Sequence, residues 1–305
     1  MPRVFYGPID ERNQDYANSG NANLGRFPLG HILITPDNRE YRFTLNDGTA
    51  EVAGRLYQSV VPLAGHTDSK ADVARAIDAV VISATLDTTL AAIDIYAEGI
   101  VHINDDVGEG YAYRIRRAMT AGAAHAAAAA TGVLTVNLEP GEQVQVALTT
   151  ASDVSFTRNR FHQVLITAAP PTGGLAGISP GVAAADRFYW SQVKGYASVL
   201  QSGTMYDGLP VQAGITTAGS VESLKRRLQV TTTGSVLSAV SVFQGVVNDS
   251  AGVATALLMG VSVSTTATTV FDATGGIANN GPIVGLCIRA AVTGEEALID
   301  LAILP

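Results

Sequence analysis

Hydrophobic and polar residues alternate with a period of two along many short segments of this chain. The first clear example is Tyr41-Arg42-Phe43-Thr44-Leu45, which runs into Asn46-Asp47-Gly48. Such alternation is typical of a half-buried strand, and the Asn-Asp-Gly sequence is typical of a hairpin turn. Turn residues separate further segments that also predict strands: residues 99–104, 111–115, 132–138, 143–148, 153–157 and 163–167. The pattern therefore predicts a chain of short strands.

Helical periodicity is scarce by comparison. Apolar residues recur at helical spacing between Asp68 and Val81, which predicts a short helix, and the β-branched residues 80–86 that follow favour a strand. The alanine run at 121–130 favours a helix locally, but Gly122 interrupts it and it has no large apolar face. We expect it to be a surface excursion or a single helical turn. Together these patterns predict an all-β protein, built from short-strand β-sandwich or barrel domains with little helix.

Glycine, proline and asparagine mark the domain organisation. They are frequent in residues 1–40, which predicts an extended N-terminal arm, with a loosely ordered tail as the alternative. The clearest linker is Pro170-Pro171-Thr172-Gly173-Gly174, and it predicts a β-rich domain over 41–170 and a second over 171–305. The Val/Ser/Thr-rich stretch around 228–280 is interpreted as an insertion in the second domain.

Aromatic and basic side chains occur along the predicted arm. A segment that becomes ordered on binding loses chain entropy, so it needs large side chains that regain free energy through burial and charge-assisted hydrogen bonds. We therefore predict that the arm binds a partner through Arg3, Phe5, Tyr6, Arg12 and Tyr16.

Composition and charge narrow the classes of protein. The 305 residues are 47% hydrophobic and 15% charged, so the chain is expected to fold around a core. No stretch of about 18 uncharged apolar residues occurs, and the first residues lack the apolar segment of a secretory signal. We therefore expect no membrane partner and a protein that stays in the cell that makes it. The net charge of -8 argues against nucleic acid as a partner, because phosphate binding needs a basic surface.

Three motifs could carry chemistry, and each has a simpler interpretation. Gly177-Ile178-Ser179-Pro180-Gly181 matches the nucleophile pattern G-x-S-x-G, but it follows a linker rather than a strand and no histidine lies downstream of it. The carboxylates of residues 104–109 lack the spacing of a calcium loop and predict a hairpin turn instead. Cys287 is the only cysteine and is expected to be a small buried hydrophobic residue.

The five histidines show no metal-ligand spacing, and each is expected at the surface or as a capping residue: His31, His66, His102, His125 and His162. No phosphate-binding loop or dinucleotide fingerprint occurs. The sequence therefore predicts no catalytic, metal or cofactor site, and a protein that is not an enzyme.

Several short segments resemble, in order, head proteins of tailed bacteriophages. The segments are Tyr96-Ala97-Glu98-Gly99, Asn104-Asp105, Gly108-Glu109-Gly110-Tyr111, Tyr113-Arg114-Ile115, Val146-Ala147-Leu148-Thr149-Thr150, Tyr189-Trp190-Ser191-Gln192, Ala218-Gly219-Ser220-Val221 and Gly281-Pro282-Ile283-Val284-Gly285. The chain is thus similar to phage capsid cement or decoration proteins over roughly residues 50–225 and 281–305. The arm and the 228–280 stretch depart from the pattern.

The resemblance implies a non-enzymatic β-rich protein, made in the host cytoplasm, that binds the major capsid protein on the exterior of the virion head, often as a trimer. Abundant alanine, valine and threonine, with short strands whose edges need covering, also predict a homotrimer. A tail, baseplate or fibre component is one alternative. A carbohydrate-binding or receptor-binding module is another, although only 6% of the residues are aromatic.

Overall fold

The computed structural model describes residues 27–224 and 282–303, together with two strands at 245–248 and 254–258. Within these residues the regular secondary structure consists of β-strands, with no helix. The predicted all-β class is therefore confirmed. Over the same part of the chain, no helix is long and apolar enough to cross a membrane.

Eighteen strands follow one another along the described chain. The strands up to the Pro-Gly segment are β1 (Ile32–Ile34), β2 (Glu40–Leu45), β3 (Arg55–Gln58), β4 (Ser69–Lys70), β5 (Val81–Thr85), β6 (Ile100–Asp105), β7 (Ala112–Arg114), β8 (Val133–Asn137), β9 (Asp153–Thr157) and β10 (Leu165–Ile166). The later strands are β11 (Leu175–Ser179), β12 (Phe188–Leu200), β13 (Pro210–Ala213), β14 (Val221–Ser223), β15 (Gly245–Asn248), β16 (Ala254–Leu258), β17 (Ile283–Arg289) and β18 (Glu296–Ala302).

Ten strands form the larger sheet, in the order β10-β3-β11-β12-β18-β17-β13-β14, with β2 paired to β12 and β1 paired to β2. The long strand β12 organises it: residues 188–194 pair with β2, and residues 194–200 pair with β18. Strands from both sides of residues 170–174 share this sheet. The predicted linker therefore connects strands of one sheet, and segments 41–170 and 171–305 both contribute to it.

One face of the larger sheet forms a continuous hydrophobic core. Alternate residues of β12, β17 and β18 point into this core, which is why the period-two pattern is strong there. Its members include Leu56, Ile178, Val193, Val199, Val211, Cys287, Ile299 and Leu301. Each large aliphatic side chain buried in this way stabilises the fold by about 1.5–3 kcal/mol. The expected burial of Cys287 is confirmed.

The sheet begins earlier than the sequence pattern suggested. β1 pairs with β2 through a turn in which Asn38 has a φ of 70°, so residues 32–40 belong to the sheet and not to an extended arm. The hairpin predicted at Asn46-Asp47-Gly48 is absent, because the other partner of β2 is β12. Asn46 instead makes tertiary contacts: its side-chain amide donates to the carbonyl of Ala184 at 2.7 Å.

The strands between β4 and β9 form a four-stranded sheet, in the order β4-β9-β6-β7, and a separate pair of β5 with β8. They enclose a second hydrophobic core, which includes Ile82, Val101, Ile115, Leu134, Val136 and Phe156. The predicted strands at 99–104, 111–115, 132–138 and 153–157 are confirmed as β6 to β9. The segment 143–148 makes only an isolated bridge, between Leu148 and Arg75.

The helix predicted between Asp68 and Val81 is wrong. Ser69 and Lys70 pair with β9 as β4, and the following residues form turns up to β5. Ile77, which would have lain on the buried face of the helix, is 58% exposed. Pairing with β9 therefore outweighs the local helical spacing.

The alanine run is neither helical nor a surface excursion, which corrects the expectation for 121–130. Ala124 and Ala128 are buried, and Ala128 exchanges two backbone hydrogen bonds of 2.9 Å with Ala91. The Asp94 carboxylate accepts hydrogen bonds from the backbone amides of Gly122, Ala124 and His125 at 2.5, 3.0 and 3.2 Å. These backbone bonds tie the alanine run into the second core.

Three of the five histidines are buried, so the expectation that each lies at the surface or caps an element is wrong for them: His66, His125 and His162. His66 Nδ1 lies 2.5 Å from the Tyr96 hydroxyl, and the Tyr96 backbone amide donates to His125 Nε2 at 3.0 Å. Burial, aided by the positive charge of Arg158, lowers the pKa of His162 to about 3. These imidazoles belong to the core.

The chain divides into two compact units: residues 225–280 form one, and the remaining residues form the other. The predicted insertion at about 228–280 falls in the first of these units. Its described part is an antiparallel pair in which Val246 lies opposite Leu257.

Glu51 is a buried carboxyl group, only 1% exposed. Burial raises its pKa from 4.5 to about 8, with an opposing effect from the Tyr57 hydroxyl. Between pH 4.5 and 8 the carboxyl group is therefore protonated in the folded state and ionised in the unfolded chain. Because the unfolded chain releases this proton, Glu51 lowers the free energy of unfolding as the pH rises from 4.5 to 8.

We expect Glu51→Gln, which mimics the protonated carboxyl group, to match the parent protein at pH 5 and to exceed it by roughly 3 kcal/mol in free energy of unfolding at pH 9. Urea denaturation at both pH values measures this difference, with Glu109→Gln as an exposed control. A difference that does not change with pH would contradict it.

Candidate assembly surface

The larger sheet has a second face, opposite its core. We define the outer face as Tyr196, Leu286, Leu298 and Asp300. Tyr196 of β12 lies directly opposite Asp300 of β18, and Asp300 lies opposite Leu286 of β17. Leu298 lies two residues before Asp300 on β18, on the same side of the strand. Three adjacent strands thus present one row of large side chains.

The apolar members of the outer face are open to solvent. Tyr196 is 58% exposed, Leu286 39% and Leu298 38%. Beside them, β13 and its neighbouring segments add further exposed apolar residues: Tyr206, Leu209 and Ile283. A soluble domain normally covers a patch of this kind, and exposed contiguous apolar patches mark interaction sites. The described part of the chain supplies no layer over this face.

Acidic groups predominate around the row. Asp300 sits between Tyr196 and Leu286, and the Glu296 carboxylate accepts a hydrogen bond from the Ser198 hydroxyl at 2.6 Å. Lys194 is already paired with Glu40 at 2.9 Å. The face therefore combines apolar area with net negative charge, which suits a partner surface that offers apolar side chains and a basic group.

A groove of about 860 Å³ continues the outer face towards β2. Asp37, Arg39, Tyr196, Asp300 and Ile303 are among its lining residues. A hydrogen bond from the Thr35 hydroxyl and the charge of Arg39 hold the pKa of the Asp37 carboxyl below its usual value, so this group stays charged near neutral pH. The groove provides a recess in which a protruding partner side chain would fit.

The predicted partner-binding residues of the arm lie outside the described residues: Arg3, Phe5, Tyr6, Arg12 and Tyr16. Their role stays a prediction. The first described residues, however, are firmly packed. The Phe27 ring lies 5.5 Å from the rings of both Phe43 and Trp190, next to an aromatic cluster formed by β2 and β12.

Glu98 anchors this first segment to the second core. Its carboxylate accepts a hydrogen bond from the Leu29 backbone amide at 2.7 Å and pairs with the Arg117 guanidinium at 3.1 Å. Arg114 lies 3.8 Å away. Burial raises the pKa of Glu98 to about 7, despite the opposing charge of Arg117. Burial therefore disfavours the charged form of Glu98, and its contacts with Leu29 and Arg117 partly compensate for this.

Replacing Glu98 by glutamine keeps its shape but removes the charge that faces Arg117. At pH 8, where the carboxyl group is ionised, we expect Glu98→Gln to weaken the attachment of residue 29, because a neutral amide oxygen accepts the Leu29 hydrogen bond less strongly and no longer pairs with Arg117. The overall free energy of unfolding should not fall, because burial already disfavours the charged carboxylate and raises its pKa. Hydrogen exchange at the Leu29 amide should nevertheless quicken. Glu109→Gln, at an exposed turn, is the control, and unchanged exchange at Leu29 would contradict this account.

The sequence motifs considered for chemistry have structural roles. Ser179 lies buried on β11, and its hydroxyl donates to the carbonyl of Gly181 at 2.6 Å. Residues 104–109 lead from β6 into its antiparallel partner β7, which confirms the predicted hairpin turn. No cluster of three or more His, Cys, Asp or Glu side chains suited to a metal ion occurs within the described ranges.

The outer face was not singled out from the sequence. The signals that could have found it are the alternations Tyr196-Ala197-Ser198 and Leu298-Ile299-Asp300, in which a large side chain recurs on the side away from the core. Neither segment reveals which strand it pairs with. Only the register of β12 with β18 brings the two segments together, and the register of β18 with β17 adds Leu286.

Comparisons with known proteins identify no relative. No protein-family model matches the chain, and no curated protein and no solved structure matches it either.

Proposed function

We propose that this protein is a non-enzymatic structural component of a tailed-bacteriophage virion, which binds and stabilises the outer surface of the capsid as a cement or decoration protein. The observation that carries the proposal is the exposure of Tyr196, Leu286 and Leu298 on three adjacent strands of the larger sheet. The sequence resemblance to head proteins supports it. The partner would be the major capsid protein.

Binding of this kind stabilises a shell by mass action. A protein that binds assembled capsid subunits, and not dissociated ones, lowers the free energy of the assembled state. The outer face suits this role because strand pairing already fixes its backbone, so little backbone entropy is lost on binding. Tyr196 at its edge is the kind of large, amphipathic side chain that dominates interface energetics.

We expect the purified protein to be a homotrimer. Exposed apolar area and uncovered strand edges are stabilised when identical subunits close around an axis. Multi-angle light scattering should give about three times the 31.6 kDa of one chain. A monodisperse monomer at micromolar concentration would contradict this expectation.

Location on the particle separates the proposal from its main alternative. Antibody labelling of purified virions, with quantitative protein staining, should show many copies on the head. A few copies per particle, or labelling confined to the tail, would instead support a tail, baseplate or fibre component.

A further inference from the structure

A cleft of about 860 Å³ opens between the smaller four-stranded sheet and the larger sheet. Residues 59–63 and 156–160 line it together with residues 172–175, 282–283 and 302–303. Its volume is typical of sites that bind small organic molecules. None of the four residues of the outer face lines it, although Ile303 also lines the groove beside that face.

Apolar side chains make up most of the lining: Val60, Val61, Pro62, Leu63, Phe156, Leu175, Ile283 and Ile303. Among the described residues that line the cleft, only two carry a charge, and both are arginines, Arg158 and Arg160. This is notable in a chain with a net charge of -8. The cleft is thus a hydrophobic recess with a local positive charge.

Arg158 is incompletely satisfied. Its Nη1 donates to Gln163 Oε1 at 3.3 Å, and its Nε is buried without a hydrogen-bond partner. Among the described residues it has no carboxylate within ion-pair distance. Burial lowers the pKa of Arg158, against an opposing effect of Tyr96. An incoming anion would supply the missing acceptor.

Arg160 strengthens the positive potential. Its Nη2 donates to the carbonyl of Leu175, which holds the side chain at the cleft. Burial and the nearby charge of Arg42 lower the pKa of Arg160. Arg160 thus adds a second positive charge to the lining of the cleft.

We propose that this cleft binds an aliphatic carboxylate, whose acid group pairs with Arg158 and whose hydrocarbon chain lies against the apolar lining. Arginine binds a carboxylate through paired N–H donors, and the buried Nε–H of Arg158 has no hydrogen-bond partner. The wide apolar lining selects a ligand with a hydrocarbon chain over a small inorganic anion.

Octanoate is the probe, titrated into the full-length protein by isothermal calorimetry. We expect saturable binding with a dissociation constant of about 1 mM or below, which is within the affinity that a ligand with as few atoms as octanoate can reach. Acetate, which lacks the chain, and octylammonium, which reverses the charge, should each bind at least about tenfold more weakly. Equal binding of octylammonium or of acetate would overturn the proposal, and so would the absence of saturable octanoate binding.

Variants locate the site. Arg158→Gln should lower octanoate affinity at least about tenfold, whereas Arg289→Gln, an exposed arginine on β17, should leave it unchanged. Gly174→Leu is a second test that leaves both arginines in place. A Cβ atom at residue 174 would lie 3.6 Å from Arg160 Nε, so the leucine would occupy the cleft and exclude octanoate. Unchanged affinity in a folded variant of either kind would overturn the proposal.

Discussion

Replacing Leu286 by aspartate should weaken binding of the protein to undecorated capsids at least about a hundredfold. Leu286 belongs to the outer face, lies directly opposite Asp300, and is 39% exposed. A carboxylate there would be buried against the capsid without a partner and beside another carboxylate, at a cost of about 3 kcal/mol or more. Quantitative co-sedimentation with capsids that lack the protein measures the loss.

Two controls separate this effect from misfolding. Val292→Asp adds the same charge at a residue that is 68% exposed, in the turn between β17 and β18, and should bind normally. The free energy of unfolding of Leu286→Asp should stay within about 1 kcal/mol of the parent value, since the side chain already faces solvent. Full capsid binding by a folded Leu286→Asp variant would exclude the outer face as the contact.

Replacing Asp94 by alanine should destabilise the protein by about 5 kcal/mol. The lost carboxylate accepts three backbone hydrogen bonds, and the buried amides of Ala124 and His125 would be left without it. Asp94 also has a φ of 56°, a left-handed conformation that alanine adopts at a further cost of about 1 kcal/mol. Chemical denaturation followed by circular dichroism measures the change.

Asp94→Asn is the matched comparison. Asparagine tolerates positive φ and keeps one side-chain oxygen as an acceptor, so it should lose only about half as much stability. If both variants lose the same amount, the single acceptor and the tolerance of positive φ that asparagine keeps contribute nothing, and the second oxygen or the negative charge of the carboxylate accounts for the whole effect. If neither loses stability, the alanine run does not depend on Asp94 at all.

The strands that the sequence predicted well are those with one buried side. β6 and β8 alternate large apolar and polar residues, so local pattern and tertiary burial agree. The helix predicted at 68–81 is wrong because local pattern and tertiary pairing disagree there. Its helical spacing is a local preference, whereas the pairing of Ser69 with Val154 of β9 depends on a residue far along the chain.

The alanine run shows a second limit of sequence patterns. Alanine has a high intrinsic helix propensity, but its small side chain also allows two backbone segments to approach closely. The hydrogen bonds from Ala128 to Ala91 and from Ala124 to Asp94 exploit that second property. No local signal distinguishes the two uses, because the partner segment lies about thirty residues earlier in the sequence.

The outer face and the cleft were beyond prediction because both are assembled from distant segments. Tyr196 and Leu286 are neighbours across β18 only through the register of three strands. Arg158 meets Ile303 in the cleft only because two sheets stand side by side. The arm residues were selected from local composition alone, and their role remains a prediction.

Electron cryomicroscopy of capsids, prepared without this protein and then incubated with it, tests the decoration proposal most directly. The account predicts ordered density on the exterior of the head, repeated at equivalent lattice positions, with Tyr196, Leu286 and Leu298 turned towards the major capsid protein. Heads that stay bare, density confined to the tail, or an outer face directed away from the shell would contradict it.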